Sequence, residues 1–381
     1  MTSPDRHAAI TGWGMAVPDA ILSNADLELL VETSDEWIVS RTGIRERRIA
    51  GPGDSSTSLA LAASREALDR AGLAAADIDL IICSTCTSDQ LLVSQASLLQ
   101  AQLGGTGGAF DIGAACSGFV YALSVGSQFI ENGTAQRILV VGVDTLTRYI
   151  DFTDRATCVL FGDGAGAVVL EATVADRGLL ASVLGADGSK WESLYVPGWS
   201  VPEATNPVDT IPADPNPPVH LNVADTAVAT LTPTLSPKVA AALDQRPSLP
   251  SSPAMLMNGG EVFKFAVRVL GDSTLEVVKK AGLSIDDVDV FIPHQANVRI
   301  IDAAARRLHV DLDRFVVNVD RYGNTSAASV PMALYEAAES NRLKDGDNVV
   351  CVGFGAGLSW AAVAIRWGSG RDGFVAADRS A

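Results

Sequence analysis

The sequence predicts an α/β fold assembled from two copies of one strand–helix unit, and three observations predict it. Apolar, strand-like runs alternate with helical patterns along most of the chain, the arrangement of sheets covered by helices. Two landmarks recur with the same internal spacing: Ala71-Gly72-Leu73 precedes Asp77-Ile78-Asp79 and an apolar run, and Ala281-Gly282-Leu283 precedes Asp287-Val288-Asp289 and another. Phe161-Gly162-Asp163-Gly164-Ala165-Gly166 is echoed by Phe354-Gly355-Ala356-Gly357. Each copy is expected to be mostly parallel, about a pseudo-twofold axis that brings equivalent loops of both to one place. The expected boundaries are 1–189 for the first half, 190–255 for a Pro-rich insertion and 256–381 for the second half. A chain of 381 residues that is 48% hydrophobic is long enough for two core-sized units.

In chain order, 7–17 reads as a strand with a Gly-rich turn, and 24–31 and 35–40 as short helices, the second opened by a Ser34-Asp35 cap. Trp37 is then followed by Arg41, Arg45, Arg47 and Arg48. An aromatic ring beside guanidinium groups suits stacking on an adenine and pairing with phosphates, and it equally suits a solvated charged turn. Residues 57–71 form an amphipathic helix, 78–85 a strand, 93–103 a helix, 109–112 a strand and 137–143 another buried strand. The Gly-rich run 161–166 lacks the lysine and spacing of a phosphate loop and leads into a strand, so it reads as close backbone packing at a turn. Residues 190–255 hold 12 of the 17 prolines, with one helix expected over 236–245. The strand Val288–Ile292 and the helix Val298–Leu308 follow.

Composition narrows the partners. A net charge of −17 argues against nucleic acid, and any acidic partner needs a local basic patch. No run of about 18 apolar residues suggests a membrane span, and the first residues lack a signal-peptide core, so a cytoplasmic protein is expected. The five cysteines (83, 86, 116, 158 and 351) read as free thiols. Cys83 and Cys86 have no second pair or nearby histidine to complete a zinc site, and no metal is expected.

Three residues carry candidate chemistry. Cys116 lies in Gly113-Ala114-Ala115-Cys116-Ser117-Gly118, a small-residue turn between a strand and a helix. Unpaired N–H groups and the helix dipole there favour a thiolate, so a lowered thiol pKa is expected; the alternative is a cysteine that only packs the helix start. His294 follows a strand in Phe-Ile-Pro-His-Gln-Ala-Asn, at the strand end where α/β sites lie. Asn324, in Tyr-Gly-Asn-Thr-Ser, is either a turn residue or a neutral hydrogen-bond donor beside Cys and His. The duplication places Val319–Ser329 where Asp111–Phe119 stands in the first half, so the three loops should meet.

Four stretches then resemble β-ketoacyl-acyl-carrier-protein synthase III, of the thiolase-like condensing enzymes: 37–47, 114–119, 294–297 and 323–329. The resemblance spans roughly 8–190 and 256–367. It implies a duplicated five-layer αβαβα fold in a homodimer, with acyl-CoA and an acyl carrier protein as partners and no cofactor beyond the coenzyme A thioester that serves as substrate. It implies Cys116 as acyl-accepting nucleophile, His294 and Asn324 acting on a malonyl thioester, and an oxyanion hole at Cys116 and Ala356. It places Trp37, Arg41, Arg155, Met257, Gly259, Phe263 and Asn297 along the coenzyme A path, and Leu92 in the acyl pocket across the dimer. Lys264, Arg268, Arg299, Arg306 and Arg307 are then read as a basic rim for the carrier protein. The alternatives are transfer of the Cys116-bound acyl group to a hydroxyl or amine, and a non-catalytic carrier-binding partner.

Overall fold

The computed structural model describes residues 6–174, 176–197, 235–244 and 254–368. Most of the expected 190–255 insertion lies outside them. The first unit runs β1 (His7–Ala16), β2 (Ala20–Ser23), α1 (Asn24–Glu28), α2 (Asp35–Thr42), β3 (Glu46–Ile49), α3 (Ser56–Ala71), β4 (Leu80–Ser84), α4 (Gln95–Leu103), β5 (Gly108–Ile112), α5 (Gly118–Glu131), β6 (Arg137–Thr145), α6 (Arg155–Cys158) and β7 (Asp163–Thr173). The second runs β8 (Gly178–Ala186), β9 (Leu194–Tyr195), α7 (Pro237–Asp244), β10 (Leu256–Met257), α8 (Gly259–Lys280), β11 (Val290–Pro293), α9 (Val298–Leu308), α10 (Val319–Tyr322), α11 (Ser329–Glu339), β12 (Asn348–Gly355) and β13 (Ser359–Arg366).

Two large sheets form, in the orders β1-β7-β6-β4-β5 and β11-β12-β13-β8, beside the two-stranded pairs β2-β3 and β9-β10. Matching the orders makes β8 the counterpart of β1, β13 of β7, β12 of β6 and β11 of β4. The expected line at 189/190 therefore falls too late: β8 pairs antiparallel with β13 in the second sheet, so the second unit starts near Gly178. The sheets are also mixed, not mostly parallel. Parallel pairing is confined to β4–β5, β4–β6 and β11–β12. The β1–β7, β6–β7, β12–β13 and β13–β8 pairs are antiparallel. Parallel neighbours need a helical crossover, as α4 and α5 supply around β4; β12 reaches β13 through a tight turn that can only reverse the chain. The two Gly-rich echoes are likewise not equivalent in space, since one opens β7 and the other closes β12.

Burial shows five layers. Phe119, Val120 and Leu123 of α5 and Val330, Ala333 and Leu334 of α11 lie between the sheets, packed on Ile82, Val140 and Val168 of one and Ile292, Val349 and Val363 of the other. α3 and α4 cover the opposite face of the first sheet through Leu139, Val141 and Val169. α8 and α9 cover the second through Val350, Val352 and Ala364. Strands buried on both faces explain why these runs read as continuously apolar. The glycines of 161–166 do serve close packing, because a side chain on Gly162 would strike the Tyr322 carbonyl and one on Gly166 would meet Pro331. Among the described residues, no helix is long and apolar enough to cross a membrane.

Candidate active site

Each half offers a short 3-10 turn leading into a buried central helix. In the first half Ala115–Ser117 precedes α5; in the second Ser326–Ala328 precedes α11. Both turns open on a non-glycine residue in the left-handed region, Ala115 at φ 45° and Ser326 at φ 51°. Such backbone costs on the order of 1–3 kcal/mol and persists where packing fixes it. Here the opposite half does so. The Cβ-free Gly142 of β6 lies against the Ala327 backbone, and Gly353 of β12 against Cys116 and Ser117. Two residues further on, Gly355 lies against the Cys116 backbone, whereas its counterpart Asp144 accepts a hydrogen bond from the Ala327 N–H at 3.1 Å.

The Cys116 loop and the Asn324 loop meet directly. The Cys116 Sγ is 3.4 Å from the Ser326 hydroxyl. The Ser326 N–H donates at 2.9 Å to Asn324 Oδ1, which leaves the Asn324 amide hydrogens for other acceptors. Asn324 itself is held by the first half, its N–H donating to the Leu160 carbonyl at 2.8 Å and its carbonyl accepting from the Gly162 N–H at 3.0 Å.

His294 follows β11 and is buried, its ring edge-on to Phe354 with centroids 5.1 Å apart. Its Nδ1 lies 2.9 Å from the Ser329 hydroxyl, which accepts from the Gln295 N–H at 2.6 Å. Directing the hydroxyl hydrogen at Nδ1, the acceptor of these two partners, assigns the imidazole proton to Nε2. Burial drives the His294 pKa down to about 3, and the ring is neutral at any working pH. Cys116 departs from expectation: burial pushes its thiol up from 9.0 to about 12. That change is worth roughly 4 kcal/mol, against ~0.3–2 kcal/mol from a helix N-terminus. Desolvation wins, and the resting thiol is protonated.

Ser117 and Ser359 stitch the nucleophile turn to the turn after β12. Their hydroxyls are 2.9 Å apart, and the Ser359 hydroxyl lies within hydrogen-bond reach of two acceptors, the Ala114 carbonyl at 3.1 Å and the Ala356 carbonyl at 2.9 Å. Beside them opens an apolar cavity of about 540 Å³ whose walls include Ala114, Ala115, Tyr121, Trp191, Tyr195 and Ala356. Tyr121, Trp191 and Tyr195 were not singled out from sequence. Tyr121 reads there as part of an apolar helix, and the other two fall past the boundary drawn at 189. Leu92, expected at this pocket, is 99% exposed and does not line the cavity of its own chain.

Two guanidinium groups pack on the Trp37 ring, Arg41 at 5.1 Å and Arg155 at 4.9 Å from its centroid. Arg47 is not part of that set. It is fully buried on β3 and donates to the Leu22 carbonyl, Asn24 Oδ1 and the Val159 carbonyl, at 3.2, 2.9 and 2.8 Å. Burial lowers its pKa to about 10, so it stays charged. Asn297 is committed to scaffolding: its Oδ1 caps α9 at the Arg299 N–H (2.8 Å) and its Nδ2 donates to the Arg41 carbonyl (3.1 Å). Met257 pairs with Leu194 at the cavity edge, and Gly259 opens α8 under an Asn258 cap. Trp37, Met257 and Ala356 all pack on one apolar cluster. Phe263 lies under Arg299, whose guanidinium is 5.5 Å from the ring centroid. The rest of the basic rim is largely neutralised. Arg306 pairs with Asp302, Arg307 with Asp272, and Lys264 with Glu261 at 2.9 Å. Arg268 and Arg299 alone of the five make no ion pair among the described residues.

Comparison with known proteins places this geometry. The 3-oxoacyl-[acyl-carrier-protein] synthase III family profile matches residues 110–188, and the profile of its C-terminal part matches 278–367. A β-ketoacyl-[acyl-carrier-protein] synthase III of Roseiflexus sp. (strain RS-1) is 48% identical over 362 residues, covering 95% of this chain and 98% of the relative. The crystal structure of the synthase III from Thermus thermophilus superposes with a TM-score of 0.80 at 41% identity, over 95% of this chain and all (100%) of that one. The priming β-ketosynthase of the R1128 polyketide pathway gives a TM-score of 0.78 at 33% identity, over 96% and 98%.

Proposed function

The chain belongs to the β-ketoacyl-[acyl-carrier-protein] synthase III family, and from that premise we propose how its residues divide the work. The protein is a thiolase-like condensing enzyme that joins an acyl group from acyl-CoA to malonyl-acyl-carrier protein at the start of fatty-acid or polyketide synthesis. The observation that carries the residue assignment is the contact between halves: Cys116 Sγ is 3.4 Å from Ser326, whose N–H orients Asn324.

Cys116 takes the acyl group as a thioester, and CoA leaves. The N–H groups of Cys116 and Ala356 hold the developing oxyanion. His294, through Nε2–H, and Asn324, through its amide, donate to the malonyl thioester oxygen, so that loss of CO₂ leaves a stabilised enolate. That enolate attacks the acyl-Cys116 carbonyl and releases the β-ketoacyl product. A neutral donor suits this step, and the buried imidazole is one. The sequence of bonds needs no metal or redox cofactor. Retention of both donors favours condensation over simple transfer to a hydroxyl or amine, which needs only a base.

Trp37, Arg41 and Arg155 serve the adenine and phosphates, and Met257, Gly259 and Phe263 line the pantetheine path. Arg268 and Arg299 remain for an acidic carrier protein, with Lys264, Arg306 and Arg307 already in exposed ion pairs worth ~0–1 kcal/mol each. A homodimer in the cytoplasm completes the proposal. Leu91, Leu92 and Val93 are 84%, 99% and 46% exposed, an apolar tip suited to closing a partner's open cavity.

The test is intact-mass analysis after incubation with a panel of acyl-CoAs, together with CO₂ release from malonyl-carrier protein. A Cys116 adduct with CO₂ release is expected. An adduct with acylated small molecule and no CO₂ would favour transfer, and no adduct would leave carrier binding. Trp37→Ala is expected to raise KM for acyl-CoA about tenfold with kcat unchanged, since two cation–π contacts and a stacking face are lost. Steady-state kinetics with varied acyl-CoA checks this.

A further inference from the structure

A thiol pushed up to about 12 must lose its proton before it can attack a thioester, and the imidazole in this site, at about 3, is a poor acceptor. The Cys116 Sγ has one side-chain partner among the described residues, the Ser326 hydroxyl at 3.4 Å. Behind Ser326 stands Asp144, fully buried at the end of β6. Its Oδ1 accepts from the Cys86 N–H at 2.8 Å, the Thr87 hydroxyl at 3.0 Å and the Thr85 hydroxyl at 3.1 Å. Its Oδ2 accepts at 3.1 Å from the N–H of Ala327, the residue next to Ser326, which sets the Ser326 side chain beside the carboxylate. The titratable groups facing it are the thiols of Cys83, Cys86 and Cys116, and no Lys, Arg or His pairs with it among the described residues.

We propose that Ser326 and Asp144 form the proton path for Cys116 during acyl loading, Ser326 as relay and Asp144 as acceptor. This rests on the reading of Cys116 as acyl acceptor. The thiol hydrogen passes to Ser326 Oγ as the serine hydrogen passes to the Asp144 carboxylate, and the S–H electron pair stays on sulfur. That sulfur forms the S–C bond to the acyl carbonyl carbon, and the C–S bond to CoA breaks with its electrons on the CoA sulfur. The proton held by Asp144 returns through Ser326 to that sulfur, and CoA departs as a thiol. One negative charge occupies the buried site throughout, so a thiolate never has to coexist with an ionised Asp144. Burial, which disfavours the carboxylate and raises the Asp144 pKa, favours the protonated state that the relay requires.

Ser326 touches the reacting sulfur and Asp144 acts through Ser326, so the test separates the two half-reactions. Ser326→Ala keeps the N–H that holds Asn324, and its backbone is tolerable because Ala115 already carries an alanine at φ 45° in the equivalent turn. Single-turnover loading from acetyl-CoA and butyryl-CoA is followed by intact mass, and CO₂ release from malonyl-carrier protein is measured on protein already acylated by long incubation. Ser326→Ala is expected to slow loading about 10²-fold and to leave the second step within about threefold. Its loading rate should climb about tenfold per pH unit as free thiolate becomes the reactive species, where the wild type is flatter. Asp144→Asn should shift loading the same way, and if it fails to fold Ser326→Ala decides alone. Unchanged loading, or equal losses in both half-reactions, would overturn the relay. Absence of any adduct in the wild type would overturn the acyl-acceptor reading instead.

Discussion

Cys116→Ala is expected to abolish the acyl adduct and to lower condensation by at least about 10³-fold, because no other thiol can replace it. Cys83, Cys158 and Cys351 are buried away from the cavity. Cys86 does border the cavity and is exposed by its accessible surface, yet the protein packed around its thiol and the neighbouring Asp144 raise its pKa well above 9.0, and its N–H is tied to that carboxylate. The fold should survive, since the turn is held by Gly353, Gly355 and the Ser117–Ser359 pair and not by the sulfur. Intact mass after acyl-CoA incubation and a thermal melt check both halves of the expectation. An adduct that persists in this variant would move the nucleophile elsewhere, with Cys86 as the first residue to examine.

Much of this site was legible in the sequence because its signals are local. Cys116 is framed by small residues between a strand and a helix, His294 ends a strand behind Pro293, and Asn324 sits in a Gly-Asn turn. The duplication then required the loops to meet: the 3.4 Å contact between Cys116 and Ser326 joins two of them, and His294 reaches the Asn324 segment through Ser329 at 2.9 Å. What stayed hidden depends on tertiary burial. The thiol pKa moves up, not down, because a helix start in a dry interior is outweighed by desolvation. Arg47 looked like one of several ligand-facing arginines, and only the approach of Leu22, Asn24 and Val159 makes it a core strut. Asp144 gave no signal because it ends an ordinary buried strand; its role appears only when β6 is superposed on β12 and it stands opposite Gly355. The basic rim was read from helical spacing, which cannot show that Asp302 and Asp272 already answer two of its arginines.

His294→Ala and Asn324→Ala should each lower CO₂ release from malonyl-carrier protein by about 10²–10³-fold, the usual cost of one lost oxyanion donor. Acyl loading at Cys116 should change by less than about tenfold in both, since that step uses the opposite wall of the site. The pH dependence separates a hydrogen-bond donor from a base. With its pKa held near 3, His294 is neutral across pH 5–8, so the decarboxylation rate should show no break near 6.5. Stability should respond where activity does not. The unfolded chain binds a proton on this histidine below about 6.5, while the folded chain does so only near 3. The stabilising contribution is therefore fully present above 6.5 and is lost as pH falls toward 3, at up to about 1.4 kcal/mol per pH unit. His294→Ala removes that term, so its melting temperature should fall less than the wild type's between pH 7 and pH 5. A rate that breaks near 6.5, or a wild-type melting temperature no more acid-sensitive than the variant's, would mean that the imidazole takes up protons in the folded enzyme and acts as a base.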